Sequence, residues 1–207
     1  MIDQRDPYGS FHELAIRERE GHDYRRLAVP RDSATAIIAP HGGGIEPGTS
    51  EISRALAGAE FALYCFEGLK LAGNEALHVA STRFDEPRCA QLVAGSQTVV
   101  AVHGCAGDHR AVYVGGLDGD LKVRVVRALE RAGFDARQDA SNHGGRHARN
   151  ICNRGSSGKG LQLEITAGLR RAMFKGLRRP ERETTRPPFD RFVTAVRAAL
   201  LEAESRH

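Results

Sequence analysis

The sequence contains no tryptophan, and aromatic residues account for only 6% of its 207 positions. Hydrophobic residues still reach 41%, a share typical of a globular protein and unlike that of disordered or fibrous chains. No run of roughly 18 apolar residues occurs, so nothing in the sequence predicts a membrane-spanning helix. We therefore expect one globular domain over residues 1–207, long enough to bury a full core.

Signals for export and for disulfide bonding are also missing. Residues 1–6 lack the basic and then apolar layout of a signal peptide, so the chain as encoded is expected to be cytoplasmic, although export by another route stays open. The cysteines show no CxxC spacing and lie in or near apolar runs, at Cys65, Cys89, Cys105 and Cys152. They are expected to be free thiols rather than disulfides or a cysteine zinc site.

The net charge of +4 comes almost entirely from arginine, since lysine occurs only at Lys70, Lys122, Lys159 and Lys175. The charges are scattered, which is typical of a solvated surface. A positive surface also attracts polyanions such as nucleic acid or an acidic polymer. Few aromatic residues lie among the arginines, as single-strand binding would require, so a nucleic-acid partner is disfavoured.

One stretch organises the chain, residues 39–50 with the sequence APHGGGIEPGTS. An apolar run before it predicts a buried strand, and Thr49 and Ser50 offer N-caps for the amphipathic run that follows. Three consecutive glycines let the backbone fold tightly between strand and helix, so the side chains of His41 and Glu46 are expected to share one small volume. This pair suits a divalent metal, in the crevice beyond the strand ends of an open sheet.

Apolar runs and helical periodicity alternate along the rest of the chain. Strands are predicted at residues 34–39, 61–66, 76–80, 97–102, 113–116, 134–140 and 161–166. Helices are predicted at residues 51–59, from near Pro87 with Asp85 as a cap, and at 117–132, 167–175 and 187–205. Residues 1–33 are expected to add a peripheral helix and strand. The pattern predicts an α/β domain with an open, mixed or mostly parallel sheet and helices on both faces.

Two further residues at predicted strand ends complete a candidate metal site. His103 follows the β-branched run at residues 97–102, and Glu164 lies near the far end of the strand at residues 161–166. Catalytic zinc commonly takes two histidines and a glutamate and leaves one position for water, which His41, Glu46 and His103 provide. Glu164 is then the candidate general base and acid.

The remaining candidates are weaker. His78 sits in an apolar run and is more typical of a hydrogen-bonded core histidine, while His109, His143 and His147 lie in polar stretches. In the long basic loop at residues 142–160, Arg154 is a candidate for holding a substrate carboxylate or stabilising an oxyanion. The candidates for contact with substrate are therefore Arg154, Arg83, His78 and His143.

Five stretches resemble the poly-γ-glutamate hydrolase family, known from phage enzymes that depolymerise bacterial capsules. They are residues 39–49 (APHGGGIEPGT), 77–87 (LHVASTRFDEP), 102–104 (VHG), 113–118 (YVGGLD) and 161–164 (LQLE). The resemblance implies a zinc-dependent hydrolase with a fold similar to that of zinc carboxypeptidases. It also implies one zinc ion per chain held by His41, Glu46 and His103, with Glu164 as the catalytic carboxylate.

The expected reaction is hydrolysis of an amide bond in an anionic, glutamate-rich polymer or peptide, and another γ-glutamyl or peptide amide is the alternative substrate. HGGG at residues 41–44 is also found in the oxyanion loop of lipases, but those enzymes need a G-x-S-x-G elbow, which GSSGK at residues 155–159 does not supply. A non-enzymatic module that binds phosphate or nucleic acid is the rival of another class, although neither GxGxxG nor GxxxxGK[ST] occurs.

Overall fold

The computed structural model describes residues 6–139 and 144–205. Within these residues, one sheet contains the strands β1 (Tyr24–Val29), β2 (Thr35–Gly43), β3 (Ala62–Gly68), β4 (Thr98–Cys105), β5 (Ala111–Gly115), β6 (Asp135–Gln138) and β7 (Leu161–Thr166). The helices are α1 (Phe11–Arg17), α2 (Thr49–Ala57), α3 (Pro87–Ala94), α4 (Gly119–Arg131), α5 (Ala167–Met173) and α6 (Pro187–Glu204). Short 3-10 helices form at Asn74–Leu77, Ile151–Asn153 and Arg179–Glu183.

The sheet is mixed, with a parallel centre. Its strand order is β1-β3-β2-β4-β7-β5-β6, and β3, β2, β4 and β7 all run parallel to their neighbours in this group. At one edge β1 pairs antiparallel with β3, and at the other β5 pairs antiparallel with β7 while β6 runs parallel to β5. The carboxyl ends of β2, β4 and β7 therefore lie side by side at one edge of the sheet.

Helices cover both faces of the sheet, as the sequence predicts. On one face, apolar residues of α2, α4, α5 and α6 pack with Ile37, Val102 and Leu163 of the central strands. On the other face, α1 and α3 pack with Ile38 and Ala101. The predicted α/β architecture is confirmed, and α1, β1 and the C-terminal helix α6 lie where the sequence analysis places a helix, a strand and a helix. All four cysteines are free thiols, and no helix in the described part of the chain has the length and apolarity to span a bilayer.

One predicted strand is wrong. Residues 76–80 lie outside the sheet, whose strand order does not include them. The segment instead begins as the 3-10 helix Asn74–Leu77, and His78 ends that helix. The Asn74 side chain favours this turn, since it accepts a hydrogen bond from the Lys70 N–H (3.0 Å) and donates one to the Lys70 carbonyl (2.7 Å).

The predicted cap of α3 is also wrong by one residue. Glu86 is the N-cap, and its carboxylate accepts a hydrogen bond from the Cys89 N–H at 2.8 Å. Asp85 instead accepts a hydrogen bond from the backbone N–H of Phe11 at 2.6 Å. Asp85 thus holds the start of α1 against the body of the protein.

Candidate active site

The site begins with an irregularity near the end of β2. Ala39 pairs with Cys65 of β3, but the next paired residues are Gly42 and Glu67, so β2 contains one extra residue between them. Since a shift of one residue turns a side chain to the other face of a sheet, the bulge places His41 on the face occupied by α1 and α3. This is also the face of His103, because His103 is two residues after Ala101 on β4 and side chains two positions apart point to the same side.

The glycines after His41 allow the backbone to pass close to its neighbours. A Cβ atom on Gly42 would lie 2.1 Å from the Ser50 hydroxyl oxygen, and Gly43 has a φ of 65°. The turn closes when the Glu46 N–H donates to the His41 carbonyl at 2.9 Å. The Glu46 carboxylate then lies 3.2 Å from Nδ1 of His41, which confirms that the turn brings this pair together.

His103 and Glu164 reach the same place from neighbouring strands. They are paired residues of β4 and β7, so their side chains lie side by side on one face. Nδ1 of His103 lies 3.1 Å from Nδ1 of His41 and 3.5 Å from Oε2 of Glu46. The same Glu46 oxygen accepts a hydrogen bond from the Gly104 N–H at 2.9 Å. Residues that are far apart in the sequence therefore meet at the carboxyl ends of β2, β4 and β7.

His78 joins this cluster, although its sequence context did not single it out as a ligand. Its ring lies 3.8 Å from that of His41, centroid to centroid, and its Nε2 lies 4.0 Å from Oε1 of Glu46. The side chains of His41 and His103 are 2% and 3% exposed, whereas that of His78 is 31% exposed. His78 is thus the histidine that closes the cluster on the solvent side.

Hydrogen bonds fix the tautomers of two of these histidines. Nε2 of His41 donates to the Val79 carbonyl oxygen at 2.8 Å, which leaves the Nδ1 lone pair facing Glu46. Nδ1 of His78 donates to the Asp6 carboxylate, which leaves the Nε2 lone pair facing the cluster. One donor atom from each of His41, Glu46 and His78 lies within 4.8 Å of the others. Two imidazole lone pairs that converge on a carboxylate, itself only 15% exposed, fit a divalent cation.

The protonation states of His41 and Glu46 suit metal binding. Burial lowers the pKa of His41 to about 4, so its ring is neutral at pH 7. Burial alone would raise the pKa of Glu46, but His41 and His103 outweigh it and hold that pKa well below its usual range. Burial would lower the pKa of His103, yet the Glu46 carboxylate raises it. A neutral imidazole beside a carboxylate anion is the form in which these residues bind metals.

Glu164 has the opposite electrostatic character. Burial raises its pKa to about 7, and the carboxylates of Glu46 and Asp139 add to the effect of burial, against a lowering by His103. The Gln162 amide donates to Oε1 of Glu164 at 2.9 Å and holds the side chain in place. A carboxyl group with a pKa near neutrality, beside a metal-binding cluster, can both accept and return a proton at pH 7.

The other predicted substrate contacts are spread more widely. Arg83 lies near the cluster, because its guanidinium donates to Asp6 at 2.9 Å. Arg154 is exposed, and its guanidinium donates a hydrogen bond to the Phe84 carbonyl at 3.0 Å. His109 is exposed and contacts Tyr113, and the exposed His147 ring accepts a hydrogen bond from the Arg149 N–H. His143 lies outside the described residues.

Asp6 is the functional candidate that the sequence did not reveal. It is 5% exposed, although it lies in a polar N-terminal stretch, and it contacts both His78 and Arg83. A carboxylate behind a metal-facing histidine orients the ring and strengthens it as a ligand. Asp6 and His78 are 72 positions apart, so no local spacing could have linked them.

Comparison with known proteins places this geometry in a family. The model of the poly-gamma-glutamate hydrolase family matches residues 8–195. UPF0714 protein YmaC of Bacillus subtilis (strain 168) is 38% identical over 200 residues, which span 95% of this chain and 85% of YmaC. These matches confirm the family resemblance that the sequence motifs carry.

Solved structures agree with this match. A bacteriophage poly-gamma-glutamate hydrolase aligns with a TM-score of 0.95 and 32% identity, over 98% of this chain and 100% of the phage chain. An apo structure of YndL, described as zinc-free, aligns with a TM-score of 0.92 and 35% identity, over 96% and 98% of the two chains. A Burkholderia mallei protein provisionally described as a carboxypeptidase shares the fold alone, with a TM-score of 0.50 and 14% identity over 89% of this chain and 60% of that one.

Proposed function

The chain belongs to the poly-gamma-glutamate hydrolase family, and from this premise we propose that it is a zinc-dependent hydrolase of γ-glutamyl amide bonds. The observation that carries the proposal is the convergence of His41, Glu46 and His103, with nearest approaches of 3.1 Å, 3.2 Å and 3.5 Å. The likeness to a phage protein named poly-gamma-glutamate hydrolase supports the γ-glutamyl amide as the bond that is cleaved.

In this proposal His41, Glu46 and His103 hold one zinc ion. Zinc is the metal to test first, because the YndL structure is described as zinc-free. His78 is the alternative third histidine, since it shares His41 and Glu46 with the first set. We favour His103 because its Nδ1 is nearer to Glu46 than Nε2 of His78 is, and because it is almost fully buried. When bound, zinc supplies polarisation of the scissile carbonyl and acidification of water.

Glu164 moves the proton. Its carboxylate accepts a proton from the attacking water as the new C–O bond forms, and returns it to the amide nitrogen as the C–N bond breaks. One water molecule is consumed, and a carboxylate and an amine are produced. The Gln162 hydrogen bond keeps Glu164 oriented, and the pKa of about 7 lets Glu164 hold the proton briefly near neutrality.

Basic groups around the cluster fit an anionic substrate. Each residue of poly-γ-glutamate carries a free carboxylate, and the chain has a net charge of +4. Arg83 is the best placed of the predicted contacts, since its partly exposed guanidinium adjoins Asp6 behind His78. Arg154 and His143 remain predicted contacts, and His78 stands at the solvent side of the cluster. Another γ-glutamyl or peptide amide is the second candidate substrate.

The deciding experiment combines metal analysis with hydrolysis. Purified protein is expected to contain about one zinc ion per chain. It should shorten poly-γ-glutamate, lose that activity on chelation and regain it when zinc is returned. Poly-α-glutamate is the matched control, because it has the same charge per residue with a different amide linkage. Activity that persists in the metal-free protein would overturn the proposal, and salt-sensitive DNA binding without amide hydrolysis would favour the non-enzymatic alternative.

A further inference from the structure

A buried arginine lies next to the cluster without belonging to it. Arg170 of α5 is 5% exposed, and its guanidinium donates three hydrogen bonds to backbone carbonyls. Nη1 donates to Pro47 at 2.7 Å, Nη2 donates to Cys105 at 3.0 Å, and Nε donates to Ile165 at 3.0 Å. Each of the three guanidinium nitrogens therefore donates to a different backbone carbonyl.

The three carbonyls are not a random set. Pro47 directly follows Glu46, Cys105 lies two residues after His103, and Ile165 directly follows Glu164. Each of the three segments that carry Glu46, His103 and Glu164 therefore has a backbone carbonyl that accepts a hydrogen bond from the same guanidinium. The contacts of Arg170 bridge positions that are 123, 65 and 5 residues apart in the chain.

The charge of Arg170 is unusual for its burial. In the described part of the chain its hydrogen bonds go to carbonyl oxygens, and the carboxylates of Glu46 and Glu164 act on it only electrostatically. A buried charge without an ion-pair partner is costly to a fold, so its presence calls for a compensating role. Arg182 makes the contrast, since it is also 5% exposed but pairs with Glu51 at 2.8 Å.

The space for the guanidinium depends on one glycine. A Cβ atom on Gly104 would lie 2.6 Å from Cζ of Arg170. Gly104 is the residue after His103, and its N–H also donates to Glu46. The backbone at residue 104 is thus in contact with the guanidinium on one side and with the metal-facing carboxylate on the other.

We infer that Arg170 is a positioning residue that holds the turn after β2 against the ends of β4 and β7 and so keeps Glu46, His103 and Glu164 at the separations needed to bind metal and move a proton. The inference rests on the proposed function. Arg170 itself contacts no residue of the donor set through its side chain, and it acts through the backbone that carries them. Lysine cannot replace it, because an ammonium group lacks the planar fork that reaches three carbonyls.

The test compares Arg170→Lys with Arg182→Lys, which changes an equally buried arginine that contacts Glu51 and Leu177 instead. Zinc affinity is measured by competition with a chromogenic chelator, together with kcat, KM and the melting temperature. For Arg170→Lys we expect about 10-fold or greater weakening of zinc binding and a fall in kcat of about 10- to 100-fold, with KM nearly unchanged. For Arg182→Lys we expect only a lower melting temperature.

Gly104→Ala provides a second route, because it displaces the guanidinium while keeping its charge. It should weaken zinc binding as Arg170→Lys does, and the double variant should be little worse than either single one. If Arg170→Lys fails to fold, Gly104→Ala carries the test. Equal zinc affinity in the wild type, Arg170→Lys and Gly104→Ala would overturn the inference. Failure of the wild type itself to bind zinc and cleave the polymer would instead overturn the proposed function.

Discussion

The amino ends and the carboxyl ends of the central strands differ: the amino ends border a cavity, and the carboxyl ends hold the candidate site. The amino ends of β2 and β4 border a cavity of about 900 Å³, whose lining includes Arg31, Thr98, Leu200 and Glu204. The carboxyl ends of the same strands hold a small cluster in which donor atoms of His41, Glu46 and His103 approach within 3.1 to 3.5 Å. The cavity is at one end of these strands and the convergent chemistry is at the other.

The partners of the charged groups explain the difference. At the amino end, Arg31 donates to the Phe61 carbonyl and Glu204 accepts from the Ser33 hydroxyl, so these half-buried groups already have partners within the protein. At the carboxyl end, His41 is buried, the Glu46 side chain is 15% exposed, and their donor atoms face one another. Electrostatic interactions are stronger where water is excluded. A few converging donor atoms therefore bind a cation more strongly than a large solvated polar surface does.

The largest effect should come from His103→Ala at the carboxyl end. Without this ligand we expect the zinc content to fall from about one ion per chain to near zero, and hydrolysis to fall to background, since three protein ligands are the usual minimum for catalytic zinc. Metal analysis of the purified variant beside the wild type checks this. Equal zinc content in the two proteins would show that His78, rather than His103, completes the donor set.

Glu164→Gln should separate proton transfer from metal binding. The amide keeps the shape of the side chain but cannot act as a base, so kcat should fall by about 10²- to 10⁴-fold while the zinc content stays unchanged. Single-turnover kinetics and metal analysis on the same preparation measure both quantities. Loss of zinc in this variant would place Glu164 among the ligands instead.

The pH profile sharpens that result. The pKa of Glu164 is raised to about 7, and only the deprotonated form can accept a proton, so kcat/KM should rise with pH toward neutrality. A bound cation nearby favours the carboxylate and moves this rise to lower pH. The residual activity of Glu164→Gln should lack the rise. A profile of the same shape in both proteins would assign the acidic limb to another group.

A smaller effect is expected from Asp6→Asn, which keeps a hydrogen-bond acceptor beside His78 but removes the charge. We expect kcat/KM to fall by about 10-fold, because the imidazole loses the carboxylate that orients it. Asp85→Asn is the matched control, since Asp85 also binds the N-terminal segment, through Phe11, without contacting His78. Equal losses in both variants would mean that Asp6 serves only to dock that segment.

The smallest effect should come from the amino-end cavity. Glu204→Gln removes a charge from its lining, and we expect kcat/KM on poly-γ-glutamate to change by less than about twofold, because the change is at the far end of the strands and is screened by solvent. Steady-state assays at low and moderate salt measure this. A loss comparable to that of Asp6→Asn would break the contrast between the two ends and assign the cavity a part in substrate binding.

Local patterns in the sequence determined much of the architecture. The apolar run and the glycines of residues 39–50 predict a turn, and this turn brings His41 and Glu46 together. The predicted caps Thr49 and Ser50 are wrong, because Gly48 is the N-cap of α2 and its left-handed backbone starts the helix without a side-chain cap. The β-branched and alternating runs predict β4 and β7 and place His103 and Glu164 near strand ends. These predictions succeed because backbone conformation and strand-end position follow from neighbouring residues.

The tertiary structure alone decided which distant groups meet. The extra residue in β2 turns His41 to the face of His103, and the 3-10 helix at Asn74–Leu77 delivers His78 to the cluster instead of to the sheet. Asp6 contacts His78 and Arg83, and Arg170 contacts the Pro47 carbonyl, so both side chains have partners far along the chain. Such contacts leave no periodic signal, because they depend on strand order and on where each segment ends in space, which no neighbouring residue records.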